Sequence, residues 1–94
     1  MTLQEIKQQL KPLILTSLRI TEMTPDQFDD SRPLLDGDLE IDSIDILQLI
    51  VEIEKKYGIR LVTGKFDREA WRDINSLAAA ILAKVEERAK AYDS

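Results

Sequence analysis

The sequence predicts an all-α protein: a small four-helix bundle of three longer helices and a short third one, with a long loop between helices one and two. Three observations predict it. Apolar residues recur at helical spacing over three separate stretches. Residues that cap helices stand at the start of each stretch. The one β-like segment, Ile59-Arg60-Leu61-Val62-Thr63-Gly64, is too short and too isolated to build a sheet.

Thr2-Leu3-Gln4-Glu5 has the form of a capping box, in which a threonine and a glutamate satisfy each other's backbone N–H groups. Ile6, Leu10, Leu13, Ile14 and Leu18 follow on one face, so the first helix is expected over roughly residues 3–19. Pro12 removes a hydrogen bond and crowds the preceding turn, which predicts a kink or two segments meeting near Lys11. Residues 21–42 are dominated by turn formers, among them Thr24-Pro25-Asp26 and Asp36-Gly37-Asp38. Phe28, Leu34, Leu35, Leu39 and Ile41 punctuate this loop. Apolar residues in so polar a connection predict that it packs down on the helices, and a loop of that length in a small domain is usually functional.

The second helix is expected from Ser43 to Tyr57, with Gly58 as its stop. Ile46, Leu49, Ile50, Ile53 and Tyr57 form one apolar stripe, and Ile44, Leu47 and Val51 form an adjoining one. Together they are wider than one core-facing stripe requires. The second stripe is either exposed for a partner or buried on a second side. Phe66 to Trp71 reads as the short third helix. Asp73 caps the last, where Ile74, Leu77, Ala78, Ile81, Leu82 and Val85 recur at helical spacing to about Ala89.

The 94 residues make one domain, with a core over about 3–85 and a tail over about 86–94. There is no Cys and no His. Disulfides, thiolate nucleophiles, imidazole bases and thiolate or imidazole metal sites are all excluded. No apolar run reaches membrane-spanning length, and no basic segment followed by an apolar one opens the chain, so a cytoplasmic location is expected. The net charge of −5 is unevenly spread. Residues 21–54 hold eleven acids against Arg32 alone, while residues 55–94 hold nine bases and six acids. Phosphates would be repelled by the acidic third, which argues against nucleic acid. A basic protein surface would be steered to it.

The centre of that acidic third is Asp42-Ser43-Ile44-Asp45. Three readings apply. Asp42 or Ser43 can cap the helix, with the acids favouring its dipole. Asp36-Gly37-Asp38-Leu39-Glu40 offers oxygen ligands at alternate positions, but counting from Asp36 puts Ile41 where a calcium loop needs Gly and Leu47 where it needs Glu. No metal site is expected. Thirdly, a serine at a loop–helix junction is accessible, and a phosphate esterified to it would meet the positive end of the helix.

Asp42-Ser43-Ile44-Asp45, followed by an amphipathic helix ending in Tyr57-Gly58-Ile59, resembles the acyl carrier proteins. The approach Pro33-Leu34-Leu35-Asp36-Gly37-Asp38-Leu39-Glu40-Ile41 is similar to theirs as well, and the likeness covers roughly residues 3–85. It implies that a phosphopantetheinyl transferase attaches 4′-phosphopantetheine from coenzyme A to Ser43, flanked by Asp42 and Ile44. The arm's thiol would carry acyl groups as thioesters, and the chain would be a carrier, not an enzyme. It implies a partner surface of Asp42, Ile44, Asp45, Gln48, Val51 and Glu52, docked by acyl-processing enzymes with basic patches. It also implies shelter for the acyl chain among Ile46, Leu49, Ile50, Ile53, Leu61, Phe66, Trp71, Ile74, Leu77 and Ile81, each of which is equally readable as core. A monomer serving fatty acid, polyketide or specialised lipid biosynthesis is expected. Lys55-Lys56, Gln48 and Trp71 depart from the usual pattern and point to a dedicated acyl chain. The alternatives are an aminoacyl or peptidyl carrier, against which Glu40-Ile41-Asp42 speaks, and a non-catalytic acidic helical module that binds a basic partner.

Overall fold

The Thr2 hydroxyl accepts from the Glu5 N–H at 3.2 Å, and the Glu5 carboxylate accepts from the Thr2 N–H at 3.0 Å. This capping box opens α1, Leu3–Ser17, in the computed structural model. The Thr2 N–H donated to it, with the Thr2 hydroxyl adding to the effect, holds the Glu5 carboxyl below its ordinary range. The structure describes all residues except Asp36, Asp38, Thr63 and Ser94, and excludes the side chains of 91–93. α1 runs through Pro12 as one helix, not as two segments meeting near Lys11. It ends two residues earlier than its apolar spacing suggests. Arg19 turns left-handed, φ 56°, so that its N–H bonds Thr16 O and the Ile20 N–H bonds Leu15 O. That is the Schellman closure usually made by glycine.

α2 spans Ser43–Tyr57, and Gly58 closes it at φ 63°. The Glu54 carbonyl accepts from the Gly58 and Ile59 N–H groups. The Glu54 carboxylate accepts from the Leu61 N–H at 2.9 Å, so this acid also holds the chain that leaves the helix. The expected third helix is a single 3₁₀ turn, Arg68–Trp71, shorter than Phe66 to Trp71. Asp73 caps the last helix as expected, its carboxylate taking the Ser76 N–H at 2.8 Å. Burial pushes the Asp73 carboxyl up, but the donors from Ser76 and Arg72 outweigh it and leave it low. α3 continues from Ile74 to Asp93, past the expected end near Ala89. Ala, Glu, Lys and Arg dominate its last turns, and all are strong helix formers. Among the described residues there is no strand.

α1 packs mainly on α3, and the 3₁₀ turn packs on α3 as well. Their shared core holds Ile6, Leu10 and Ile14 of α1, Leu49 and Ile53 of α2, and Ile74, Leu77 and Ile81 of α3. The long loop completes it. Phe28 and Leu34 are fully buried, as their place among polar residues led one to expect. The loop backbone is stitched to the start of α3: Leu34 N–H to Arg72 O at 2.9 Å, and Asn75 N–H to Asp30 O at 3.2 Å.

Asp30 also meets α1, where Lys7 lies at 3.6 Å and Lys11 closer still. The Lys11 hydrogen bond, aided by the charges of Lys11 and Lys7, holds the Asp30 carboxyl below its ordinary range. A carboxylate depressed in the folded state stabilises the fold above its unfolded pKa of ~3.9. That contribution is lost as pH falls through the lower folded value. Asp30→Asn should therefore lower the urea midpoint at neutral pH, with the gap to the parent chain closing below about pH 4. A gap that stays constant with pH would mean that the ion pairs contribute nothing.

Candidate functional site

The approach to α2 turns at Glu40, which is left-handed at φ 53°, and delivers Asp42 in extended backbone as the N-cap. The Asp42 carboxylate accepts from the Asp45 N–H at 2.9 Å, and the Asp45 carboxylate accepts from the Asp42 N–H at 3.2 Å. The two aspartates thus form a reciprocal capping box of their own. This settles the competition for the cap: it is Asp42, not Ser43. Ser43 is the first helical residue, exposed, with its hydroxyl in no hydrogen bond to a described residue. The N–H groups of Ser43 and Ile44 begin the helix and have no intrahelical acceptor. A phosphate joined to the Ser43 oxygen fits this end, where two unbonded N–H groups and the helix dipole favour an anion.

Ser43 and Asp42 stand at the mouth of a groove of about 500 Å³. Its wall is apolar: Ile46, Leu47 and Ile50 from α2, Leu35 and Ile41 from the loop, and Val62 and Phe66 from the connection beyond Gly58. Arg68 reaches the same groove. A mostly apolar cleft with a few polar groups at one end is the usual form of a ligand site.

The acyl-shelter candidates fall into three sets. Ile46, Ile50 and Phe66 line the groove. Leu61 and Trp71 line a neighbouring hollow of about 270 Å³. Leu49, Ile53, Ile74, Leu77 and Ile81 are buried in the core and line neither. Leu35, Ile41, Leu47, Val62 and Arg68 belong to the groove but were not among the candidates. Their signal lay in the apolar residues of the loop and in the second stripe of α2.

That second stripe is exposed. Ile44, Leu47 and Val51 are 74%, 63% and 52% accessible, which excludes burial on a second side. They follow one another at helical spacing, so they share a face. Gln48 is exposed beside them, and Asp45 and Glu52 are half-buried. α2 therefore presents an apolar strip with acids at its upper end and on its flank. The alternating acids from Asp36 to Glu40 include Asp36 and Asp38, which lie outside the described residues.

A helical bundle with an exposed serine opening its second helix, at the mouth of an apolar groove, is built as a carrier of an attached group. Residues 8–81 match the family of the phosphopantetheine attachment site. D-alanyl carrier proteins of Lactococcus lactis subsp. cremoris (strains MG1363 and SK11) are 38% identical to this chain over 63 residues, or 63% of this chain and 80% of theirs. The D-alanyl carrier protein of Lactococcus lactis subsp. lactis (strain IL1403) is similar to the same extent. The chain belongs to the phosphopantetheine-binding carriers of the acyl carrier protein family, whose prosthetic group is a covalently attached 4′-phosphopantetheine. Such carriers are loaded by a phosphopantetheinyl transferase and work with partner enzymes. No helix of the described residues is long and apolar enough to cross a membrane.

Proposed function

We propose that Ser43 is the attachment residue and that the chain is a single-domain, monomeric carrier, not an enzyme, which holds acyl groups as thioesters for fatty acid, polyketide or specialised lipid synthesis. The observation that carries this is the division of labour at the start of α2. Asp42 caps the helix, which leaves the Ser43 hydroxyl exposed, bonded to no described residue and beside an apolar groove. The attached arm supplies the terminal thiol that this Cys-free chain lacks. The Ser43 oxygen provides the ester link to phosphate, and the first N–H groups of α2 favour the resulting charge. Ile44, Gln48 and Val51 give a partner enzyme an apolar strip to cover. Asp42, Asp45 and Glu52 attract the basic rim of the same partner, each rim charge contributing little by itself.

A second reading makes the cargo D-alanine, and the similarity to the Lactococcus D-alanyl carrier proteins supports it. The apolar wall of the groove favours an uncharged acyl chain over an ammonium-bearing one. The test is intact mass before and after incubation with coenzyme A, magnesium and a broad-specificity transferase, followed by fragment mass spectrometry. A gain of one phosphopantetheinyl group located at Ser43 is expected. A folded protein that gains no mass with several transferases, or gains it elsewhere, would overturn the assignment.

A further inference from the structure

A phosphodiester on the Ser43 oxygen adds a negative charge where the chain is already most acidic. Residues 21–54 hold eleven acids against Arg32 alone, and Asp42 and Asp45 flank Ser43. The opening N–H groups of α2 offset only part of this, since a helix end carries about half a charge. The groove at Ser43 offers the rest. Its described lining has two charged residues, Asp42 and Arg68, and the Asp42 carboxylate is taken up by the cap. Arg68 is the one cation of that lining, and it comes from another element. The 3₁₀ turn Arg68–Trp71 packs on α3, its buried Trp71 anchors it, and the Asp67 carboxylate accepts from the Glu69 N–H at 3.0 Å at its start. The backbone that carries Arg68 is thereby fixed, while the residue itself is exposed.

We infer that Arg68 is a positioning residue that takes the phosphodiester of the arm on Ser43 and so holds the root of the arm over the groove. This inference rests on Ser43 as the attachment residue. A guanidinium presents five N–H donors in a planar fork, which matches the paired oxygens of a phosphate. Arg68 already interacts within the unloaded chain, and a fork of that kind can serve a second acceptor as well. An ammonium in its place would supply a point charge without the paired geometry. Ser43 and Arg68 lie on different elements, so the phosphate joins α2 to the turn. The arm then leaves from a held phosphate and not from a freely rotating ester, and fewer of its conformers have to be frozen when a partner binds.

The test uses the full chain loaded from coenzyme A, each product verified by mass, and reads the phosphorus NMR signal of the arm. In the loaded parent this signal should stand apart from its position in the same protein unfolded in urea, and the Arg68 Nε–H signal should move on loading. Arg68→Gln should carry the phosphorus signal toward the unfolded position, the held-to-free ratio of the arm falling about two- to fivefold, the range an exposed ion pair supports. Arg68→Lys, which keeps the charge and loses the fork, should fall between. Lys65→Gln removes the same charge from a nearby side chain that does not line the groove, and should leave the signal at the parent position. Added salt should move the parent toward Arg68→Gln. Trp71 is the only tryptophan, and its emission checks that each variant is folded. Phosphorus signals that coincide in the parent and Arg68→Gln, or an Arg68 signal indifferent to loading, would overturn the inference while leaving Ser43 in place. An equal displacement in Lys65→Gln would also overturn it, because net charge and not Arg68 would then be the cause. A chain that gains no mass at Ser43 would remove both readings.

Discussion

Ser43→Ala should lose phosphopantetheine loading entirely and keep the stability of the parent chain. The two halves of this expectation come from different residues. Loading needs the hydroxyl, because the ester oxygen has no substitute at that position. Stability does not need it, because the Ser43 side chain makes no hydrogen bond to a described residue and the helix is capped by Asp42. A substitution at an exposed site without such contacts changes stability by about 0.5 kcal/mol or less. Asp42→Ala should do the reverse. It removes the acceptor for the Asp45 N–H, and losing an N-cap costs about 1 kcal/mol. It keeps the Ser43 hydroxyl, so mass should still be gained, more slowly because the start of α2 frays. Thermal or urea unfolding beside intact mass separates the two variants. Mass gain by Ser43→Ala would reject the assignment. A large loss of stability in that variant would mean that Ser43, and not only Asp42, holds the helix start.

The difference between those two positions shows how far the sequence can be read. Asp42 and Ser43 are both good caps, and residue type cannot choose between them. The choice depends on backbone placement: Asp42 is extended and Ser43 already helical. α2 itself was legible at both ends, since the acidic cap and Gly58 are chemical marks in the chain. The end of α1 was not, because Arg19 takes the left-handed turn where a glycine would have signalled the stop. The third helix shrank to Arg68–Trp71, a segment too short for periodicity to define its ends. In the site, helical spacing finds residues that face inward but not those that face empty space. Ile53 and Ile50 lie in the same stripe of α2, yet the first is sealed in the core and only the second lines the groove. What decides is the wall opposite. Leu35, Ile41 and Val62 come from loops, and contacts distant in sequence place them.

One of those contacts carries the second large effect. Phe28→Ala should cost about 3–5 kcal/mol, the range for emptying a buried aromatic position. A domain of this size has only about 0.05–0.15 kcal/mol per residue in hand, so this loss is a large share of the whole. Phe28 lies in the connection between α1 and α2, follows the 3₁₀ turn Pro25–Gln27, and is completely inaccessible in the core. Its ring, with Leu34, anchors a loop that polar contacts also hold: Asp30 to Lys7 and Lys11, and the backbone bonds to Arg72 and Asn75. The same loop goes on to supply Leu35 and Ile41 to the groove. The damage should therefore reach function without touching Ser43. Phe28→Ala should still accept phosphopantetheine at temperatures where it is folded, but its octanoyl thioester should be cleaved by hydroxylamine faster than that of the parent. Phe28→Leu keeps most of the volume and should recover most of both properties. Urea unfolding and the cleavage rate read the two effects separately. A loss under about 1 kcal/mol would mean that the cavity collapses at little cost and that the loop is not part of the core. Full loss of stability with unchanged cleavage in the folded fraction would mean instead that the loop seals the bundle but takes no part in sheltering cargo.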